Sequence, residues 1–176
     1  MNEIAVTAVG ADRPGIVAAL TEALLDLGGN LADVRAALLR GSFAVALLVH
    51  VPDDVTPADV DATLRPVADR LGLGLYTGPA APDHAHAGPL EHVIVSVYGA
   101  DHPGIVHAVT VGLADAGANI VDLSSSVSHA SAIYQLAIEV ELPPGVAADD
   151  LEGLLRPVAV ANDVDLSIIP VTDELL

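Results

Sequence analysis

The chain contains no lysine and no cysteine, and its six arginines face 24 acidic residues, for a formal net charge of −18. The missing cysteine excludes disulfides and thiolate chemistry. The acidic balance argues against direct binding to nucleic acids, whose phosphates must be neutralised by basic groups. It argues equally against an anionic membrane surface. The charge is that of a solvated acidic surface.

A long apolar run is also missing, although 52% of the residues are hydrophobic. No segment approaches the roughly 18 apolar residues of a membrane-spanning helix. Glu3 and Asp12 interrupt the first apolar stretch, which is unlike a secretory signal peptide. We therefore predict a cytoplasmic protein that makes no contact with a membrane.

The sequence is an internal duplication. Val6–Asp33 aligns with Val95–Asp122 without a gap, and about half of the aligned positions are identical. The shared core reads Gly-Ala-Asp-Arg-Pro-Gly-Ile-Val in the first copy and Gly-Ala-Asp-His-Pro-Gly-Ile-Val in the second. A unit of about 80 residues is marginally stable alone, so two such units are expected to support each other.

The two copies differ in length at one place. Leu64–Val67 matches Leu155–Val158 at an offset two residues larger than that of the first helix. The insertion falls near Gly41 in the first copy and within residues 128–132 in the second. Because turns tolerate insertions, the sequence predicts a hairpin at this place.

Each copy has the periodicity of a βαββαβ unit. Segments 3–9 and 92–98 predict the first strands, and Asp12 and Asp101 are predicted to cap the helices that follow. A second helix is predicted to begin at Thr56. The predicted fold class is therefore α+β: two ferredoxin-like βαββαβ units, each an antiparallel sheet with both helices on one face. The predicted boundaries are 1–78 for the first unit, 79–90 for a linker and 91–176 for the second unit.

The third strand of the first copy differs from its counterpart. Phe43–Val49 is apolar without a break, whereas Ile138–Leu142 alternates with glutamate, as a half-exposed strand does. We predict that the outer face of the first sheet is partly covered by a second chain or a partner protein. The alternative is an alanine-rich central strand that tolerates exposure.

The repeated Gly-x-Asp-x-Pro-Gly-Ile-Val turn, with a Gly-x-Asn downstream, resembles the ACT domain family. The stretch Val6–Val17 is similar to the tandem-ACT glycine cleavage system transcriptional repressor family. The resemblance covers nearly the whole chain. It implies a regulatory module that binds an amino acid beside the turn after the first strand. It also implies action through a DNA-binding partner rather than direct contact with DNA.

Physical chemistry also favours a ligand at this turn. A helix N-terminus offers free N–H groups and the positive end of the helix dipole, and a glycine allows close approach. The amino group of a ligand needs acceptors, which Asp12, Asn30 or Asp33 could supply. The predicted ligand-binding residues are Asp12, Arg13, Pro14, Gly15, Ile16 and Asn30 in the first copy, and Asp101, His102, Pro103, Gly104, Ile105 and Asn119 in the second.

Purely structural roles remain open for these residues. The alternative role of Asp12 and Asp101 is that of helix caps alone, and the alternative role of the glycines is close helix–sheet packing alone. The alternative for Asn30 and Asn119 is that they are turn residues. His102, which replaces Arg13, either tunes the second site with pH or is an exposed loop histidine without a role.

No constellation for catalysis, cofactor or metal binding stands out. His84 and His86 have a chelating spacing but lack third and fourth ligands. The serine-rich run 124–128 has no visible base to activate a nucleophile. No phosphate-binding or dinucleotide-binding motif is present. We predict a protein that is not an enzyme and has no cofactor and no metal.

Two functions are consistent with these sequence features. The favoured one is an amino-acid-sensing regulator that acts through a partner regulator or enzyme, as a homodimer. The alternative is a regulatory subunit of a metabolic enzyme, similar to the acetolactate synthase small subunit. The close duplication counts against the alternative, because the second half of that subunit is not an obvious copy of the first.

Overall fold

Each half of the chain folds as a strand, a helix, two strands, a helix and a strand. The computed structural model describes residues 1–82, 90–128 and 133–171. It divides into two units, Met1–His84 and Ala85–Leu176. The first unit comprises β1 (Asn2–Ala11), α1 (Ile16–Asp26), β2 (Asn30–Leu39), β3 (Ser42–Val51), α2 (Pro57–Leu71) and β4 (Leu73–Pro79). The second comprises β5 (His92–Ala100), α3 (Ile105–Asp115), β6 (Asn119–Val127), β7 (Ile133–Glu141), α4 (Ala148–Ala161) and β8 (Val164–Pro170).

Both sheets have the same antiparallel topology. The strand order is β2-β3-β1-β4 in the first unit and β6-β7-β5-β8 in the second. This confirms the predicted α+β fold of two ferredoxin-like units. The boundaries at 78, 79–90 and 91 stay predictions, and residues 83–89 of the predicted linker, with His84 and His86, lie outside the described residues.

One face of each sheet packs against its two helices. In β1 every second residue, Ile4, Val6 and Ala8, is about 1% exposed. On the helices the apolar positions fall three or four residues apart, so that one stripe of each helix is buried. The buried helix residues of the first unit are Ile16, Leu20, Ala23, Leu24, Val60, Leu64 and Ala68.

The apolar run in β3 resolves into the two faces of the strand. Val45, Leu47 and Val49 are buried in the core. Ala44 and Leu48 on the outer face are partly buried and Ala46 is exposed. Whether another protein covers this face stays a prediction.

The hairpin between β2 and β3 is closed by two residues in left-handed conformation. Arg40 has φ 48° and Gly41 has φ 85°. Positive φ at both central positions is the signature of a type I′ turn, whose twist suits a hairpin. In the second unit the amide of Ser128 donates to the carbonyl of Ile133 at 2.9 Å. The four residues between them lie outside the described part.

The second helix of the first unit begins where the sequence predicts, and its counterpart in the second unit begins on an alanine. Thr56 is the N-cap of α2, and its hydroxyl accepts from the amide of Asp59 at 3.3 Å. The Asp59 carboxylate accepts in return from the Thr56 amide at 2.8 Å, which completes a capping box. In α4 an alanine occupies the N-cap, so only the bond from the Ala147 amide to the Asp150 carboxylate remains, at 3.1 Å. None of the helices in the described ranges is long and apolar enough to cross a membrane.

Candidate functional site

The turn between β1 and α1 starts the first helix on a glycine. Gly15 is the N-cap, with φ 93°, and its carbonyl accepts the first helical bond, from Ala19 at 3.0 Å. The Asp12 amide donates to the carbonyl of Gly41 at 2.9 Å, which holds the turn beside the hairpin. The carboxylate of Asp12 makes no hydrogen bond to the described residues, and the predicted cap at this residue is wrong.

The turn between β5 and α3 has the same construction. Gly104 is the N-cap of α3, with φ 104° and no side-chain cap. Its carbonyl accepts from the amide of Ala108 at 2.9 Å. The predicted cap at Asp101 is therefore wrong for the same reason. The left-handed glycine reverses the chain after the aspartate, so the carboxylate is three residues too early to reach the first free amides.

Both first helices begin with unoccupied backbone donors. No side chain among the described residues accepts from the first amides of α1 or α3, and neither first helix has an acidic residue in its first turn. No heavy atom lies within 4 Å of the position that a Cβ would take on Gly15 or Gly104. The open side, the free N–H groups and the positive helix dipole together form a site suited to an anion.

The two turns differ in the residue after the aspartate. Arg13 is exposed and, within residues 1–82, 90–128 and 133–171, makes no hydrogen bond or ion pair. His102 is partly buried, and its ring nitrogens lie 3.1 Å from the carbonyl of Pro103 and 2.7 Å from that of Asn162. The Asn162 carbonyl is the main cause that raises the pKa of His102 above its ordinary value, followed by the Pro103 carbonyl.

The remaining turn residues lie partly on the surface and partly in the core. Pro14 and Pro103 are exposed on the turns. Ile16 and Ile105 are each 2% exposed. The isoleucines therefore anchor the first turn of the helix in the core, and only their amides face the open side.

Asn30 and Asn119 lie at the other end of their sheets. Asn30 opens β2 and pairs with His50, near the end of β3. The turn at Asp12 follows the opposite end of β1, and a ten-residue strand spans on the order of 30 Å. Asn119 occupies the equivalent place and donates to Glu141 at 3.1 Å. Within one unit the structure therefore separates the asparagines from the turn residues.

Asp33 also lies away from the turn. It follows a bulge in β2, and its carboxylate accepts from the amide of Val34 at 2.7 Å. It is thus engaged in shaping the edge strand. Of the three acceptors predicted for a ligand amino group, Asp12 is the one at a turn, and Asp101 is its counterpart in the second unit.

A cross-strand pair at the far end of each sheet was not predicted. In the first unit Glu3 on β1 faces His50 on β3, with Oε1 and Nε2 2.9 Å apart. In the second unit the same positions carry His92 and Glu141, with Nε2 and Oε1 3.6 Å apart. The histidine and the glutamate exchange places between the two copies. The aligned repeats show this exchange only when the pairing of the strands is known.

No group of three or more metal-ligating side chains occurs in the described ranges. Two buried hydroxyls, of Thr77 and Tyr134, have no hydrogen-bond partner there. The open turns are therefore the features of this structure with the clearest binding chemistry.

Comparison with known protein families identifies the family of this chain. A model of the ACT domain matches residues 2–76 and 91–168, which is most of both units. The chain belongs to the ACT domain family. Both open turns lie within the matched ranges, directly after the first strand of each ACT domain.

Two relatives among characterised or named proteins illustrate the family's range. The chain is 31% identical over 168 residues to phosphoserine phosphatase SerB2 of Mycobacterium tuberculosis, which covers 94% of this chain and 40% of the phosphatase. It is 35% identical over 74 residues to a UPF0237 protein of Methanopyrus kandleri, which covers 42% of this chain and 82% of that protein. The chain thus spans less than half of the phosphatase and about two ACT domains' length.

Solved structures share the tandem arrangement of ACT domains. An unknown protein from Galdieria sulphuraria superimposes with a TM-score of 0.81 at 27% identity, over 97% of this chain and 99% of that one. A protein designated a glycine cleavage system transcriptional repressor superimposes with a TM-score of 0.75 at 24% identity, over 98% of each chain. The second likeness establishes the common fold.

Proposed function

We propose that this tandem ACT protein is a non-catalytic regulator that binds a small amino-acid-type ligand at its Pro-Gly turns and acts through protein–protein interaction. The observation that carries the proposal is the contrast between its helices. The first turn of α2 is closed by the Thr56–Asp59 capping box, and the first turn of α4 carries two aspartates. By contrast, α1 and α3 begin on left-handed glycines and leave their first amides open.

The chemistry of the turns fits a zwitterion. A ligand carboxylate would accept from the open amides of α1 or α3 and gain from the helix dipole. The ligand's ammonium group would donate to the nearby exposed carboxylate of Asp12 or Asp101. Each charge-assisted hydrogen bond contributes about 1.5–3 kcal/mol. Two or three of them, less the cost of ordering the ligand, correspond to roughly micromolar to millimolar dissociation constants.

A thermal-shift screen over the amino acids tests the ligand. A ligand present at 100 times its dissociation constant raises the free energy of unfolding by about 2.7 kcal/mol. We expect stabilisation by at least one amino acid, reduced in a D12A/D101A double variant. The matched control is Asp54→Ala, which removes one exposed carboxylate away from the turns. Equal stabilisation of the double variant and the wild type would exclude the proposed ammonium contact.

The homodimer expected from the sequence has a suitable surface in β2. This edge strand is exposed along almost its whole length, and no strand in the described residues pairs with its free side. Val34 is 40% exposed, Leu38 61% and Leu39 67%. A long apolar edge strand is a template for pairing with another strand. We infer that β2 pairs with β2 of a second copy.

The sequence of β2 is self-complementary in an antiparallel pair. Asp33 and Arg35 flank Val34 on the outer face of the strand. A two-fold axis at Val34 would place each aspartate opposite the arginine of the other copy, and opposite charges in cross-strand positions stabilise the pair. The same pairing would carry Asn30 of each copy to the end of the sheet where the other copy has its Asp12 turn. Asn30 of one copy and the Asp12 turn of the other would then lie at the same end of one continuous sheet, three strand spacings or roughly 14 Å apart.

Charge exchange at this strand tests the dimer. In R35D, two pairs of aspartates face each other, and we expect dimer dissociation to increase roughly tenfold, since exposed pairs are worth up to about 1 kcal/mol each. D33R/R35D restores opposite charges and is expected to restore the dimer in light scattering after gel filtration. A monomeric wild type, or a double variant no better than R35D, would contradict the pairing.

The regulated process has two candidates. Transcriptional regulation of amino-acid metabolism through a DNA-binding partner is supported by the similarity of the first turn to the glycine cleavage repressor family. Regulation of an enzyme, as in an acetolactate synthase small subunit, is supported by the phosphoserine phosphatase relative, of which the chain covers 40%. Purified partner candidates separate the two: the chain should change either operator binding by a regulator or turnover by an enzyme, in an amino-acid-dependent manner.

A further inference from the structure

His102 joins two segments of the second ACT domain through both of its ring nitrogens. Nε2 lies 2.7 Å from the carbonyl oxygen of Asn162, and Nδ1 lies 3.1 Å from that of Pro103. A carbonyl oxygen only accepts, so each ring nitrogen must donate. Neutral imidazole carries one N–H and satisfies one of these bonds, whereas imidazolium satisfies both. The geometry therefore fits the charged ring.

The surroundings of the ring favour its charge. Asn162 caps the carboxyl end of α4, where the helix dipole is negative. The titratable groups that act on the ring are Asp101, on the same turn, and Asp163, directly after the cap of α4. Both are carboxylates and both favour the imidazolium, while partial burial of the ring opposes it. The balance raises the pKa of His102.

The first ACT domain lacks this connection. Arg13 stands at the position of His102 and makes no hydrogen bond or ion pair to any described residue. Gly72, with φ 69°, stands before β4 where Asp163, with φ 49°, stands before β8. Positive φ is uncommon for a residue other than glycine. In the second domain Asp163 adopts it directly after Asn162, whose carbonyl is bonded to His102. The link between the turn and the end of the second helix therefore belongs to the second domain.

We propose that His102 is a proton-dependent link that holds the β5–α3 turn against the carboxyl end of α4 through two hydrogen bonds and loses one of them on deprotonation, so that the two ACT turns respond differently to pH. The second turn is fixed while the ring is charged and gains freedom when the ring is neutral. The first turn, where Arg13 makes no such bond, does not change over the same range. This consequence rests on the proposed ligand function: ligand binding at the second turn would depend on pH, and ligand binding at the first turn would not.

The direction of the stability effect follows from the raised pKa. The link contributes its full stability below the unfolded value, near 6.5. The contribution declines as pH rises through the higher value of the folded state. Alkaline pH therefore loosens the second turn, and acidic pH does not.

Nuclear magnetic resonance of the full chain without any ligand tests the link. Imidazole and backbone amide signals are followed from pH 5 to pH 9. We expect the midpoint of the His102 imidazole to lie above its ordinary value, near 6.5. His107, an exposed histidine on α3, supplies the control variant. The amide signals of Gly104 and Asn162 should move with the His102 midpoint, and that of Gly15 should not.

Two variants complete the experiment. H102Q is expected to abolish the pH-dependent shift of the Gly104 and Asn162 amides, and H107Q is expected to leave it intact. If H102Q fails to fold, the wild-type titration decides alone. A His102 midpoint at or below its ordinary value, or amide shifts that persist in folded H102Q, would overturn the proposal. Because no ligand is involved, this result stands apart from the success or failure of the amino-acid screen.

Discussion

Replacing Gly15 by alanine separates the conformation of the first turn from its packing. Gly15 has φ 93°, and a Cβ at this position would meet no heavy atom within 4 Å. The substitution therefore creates no clash, and its cost is confined to the backbone. A left-handed conformation costs an L-residue about 1–2 kcal/mol, which is the expected loss in the free energy of unfolding.

The measurement is urea-induced unfolding of wild type and variant, with the thermal midpoint as a second readout. For a domain of 60–100 residues, each kcal/mol corresponds to about 4–8 °C in the midpoint. The matched control is Gly153→Ala in α4, where a Cβ also meets nothing within 4 Å but φ is not positive. In that helical setting alanine is expected to stabilise by about 0.4–1 kcal/mol. If both variants shifted stability in the same direction, the account of the turn would be refuted.

Two further pairs of substitutions compare the ACT domains with each other. Thr56→Ala removes the capping hydroxyl of α2 and should cost about 0.5–2 kcal/mol in urea unfolding, while Ala147→Ser should supply the missing acceptor to α4 and stabilise by a similar amount. Tyr134 is 7% exposed and its hydroxyl has no partner among the described residues, so Tyr134→Phe should raise the unfolding free energy by about 1–2 kcal/mol. Phe43→Tyr, at the equivalent place, should lower it; a stabilised F43Y or a destabilised Y134F would contradict the assignment.

Most of the fold could be predicted because the sequence repeats its own signals. The capping residue Thr56 before a proline and the glycine at 41 between two apolar runs each define an element boundary by local chemistry. The predicted first strands, 3–9 and 92–98, agree with β1 and β5 to within two residues at each end. Two independent copies of each signal made the order of elements unambiguous.

The start of the first helix could not be predicted in the same way. An aspartate followed by proline has the composition of a helix cap, and only the positive φ of Gly15 moves the cap three residues on. Composition does not reveal the sign of φ at a glycine. The free amides, on which the proposed site depends, follow from this one backbone angle.

The separation of Asn30 from Asp12 could be predicted, but only from the direction of the strands in the βαββαβ fold. A helix that follows a strand returns the chain to the end of the sheet where the strand began, so the next strand starts far from the turn. Residues close in the motif are therefore distant within one domain. The pair of hydrogen bonds made by His102 could not be predicted from the sequence. Its partner Asn162 lies 60 residues away and carries no sequence signal.

Titration of the chain with single amino acids, followed on backbone amide signals, tests the central proposal most directly. The account predicts that a binding amino acid shifts the amides of Ile16–Ala18 or Ile105–His107 and leaves the capped start of α2 unchanged. Saturating shifts at these amides would support an amino-acid site at the ACT turns. No shift with any amino acid, or shifts confined to other parts of the chain, would contradict it.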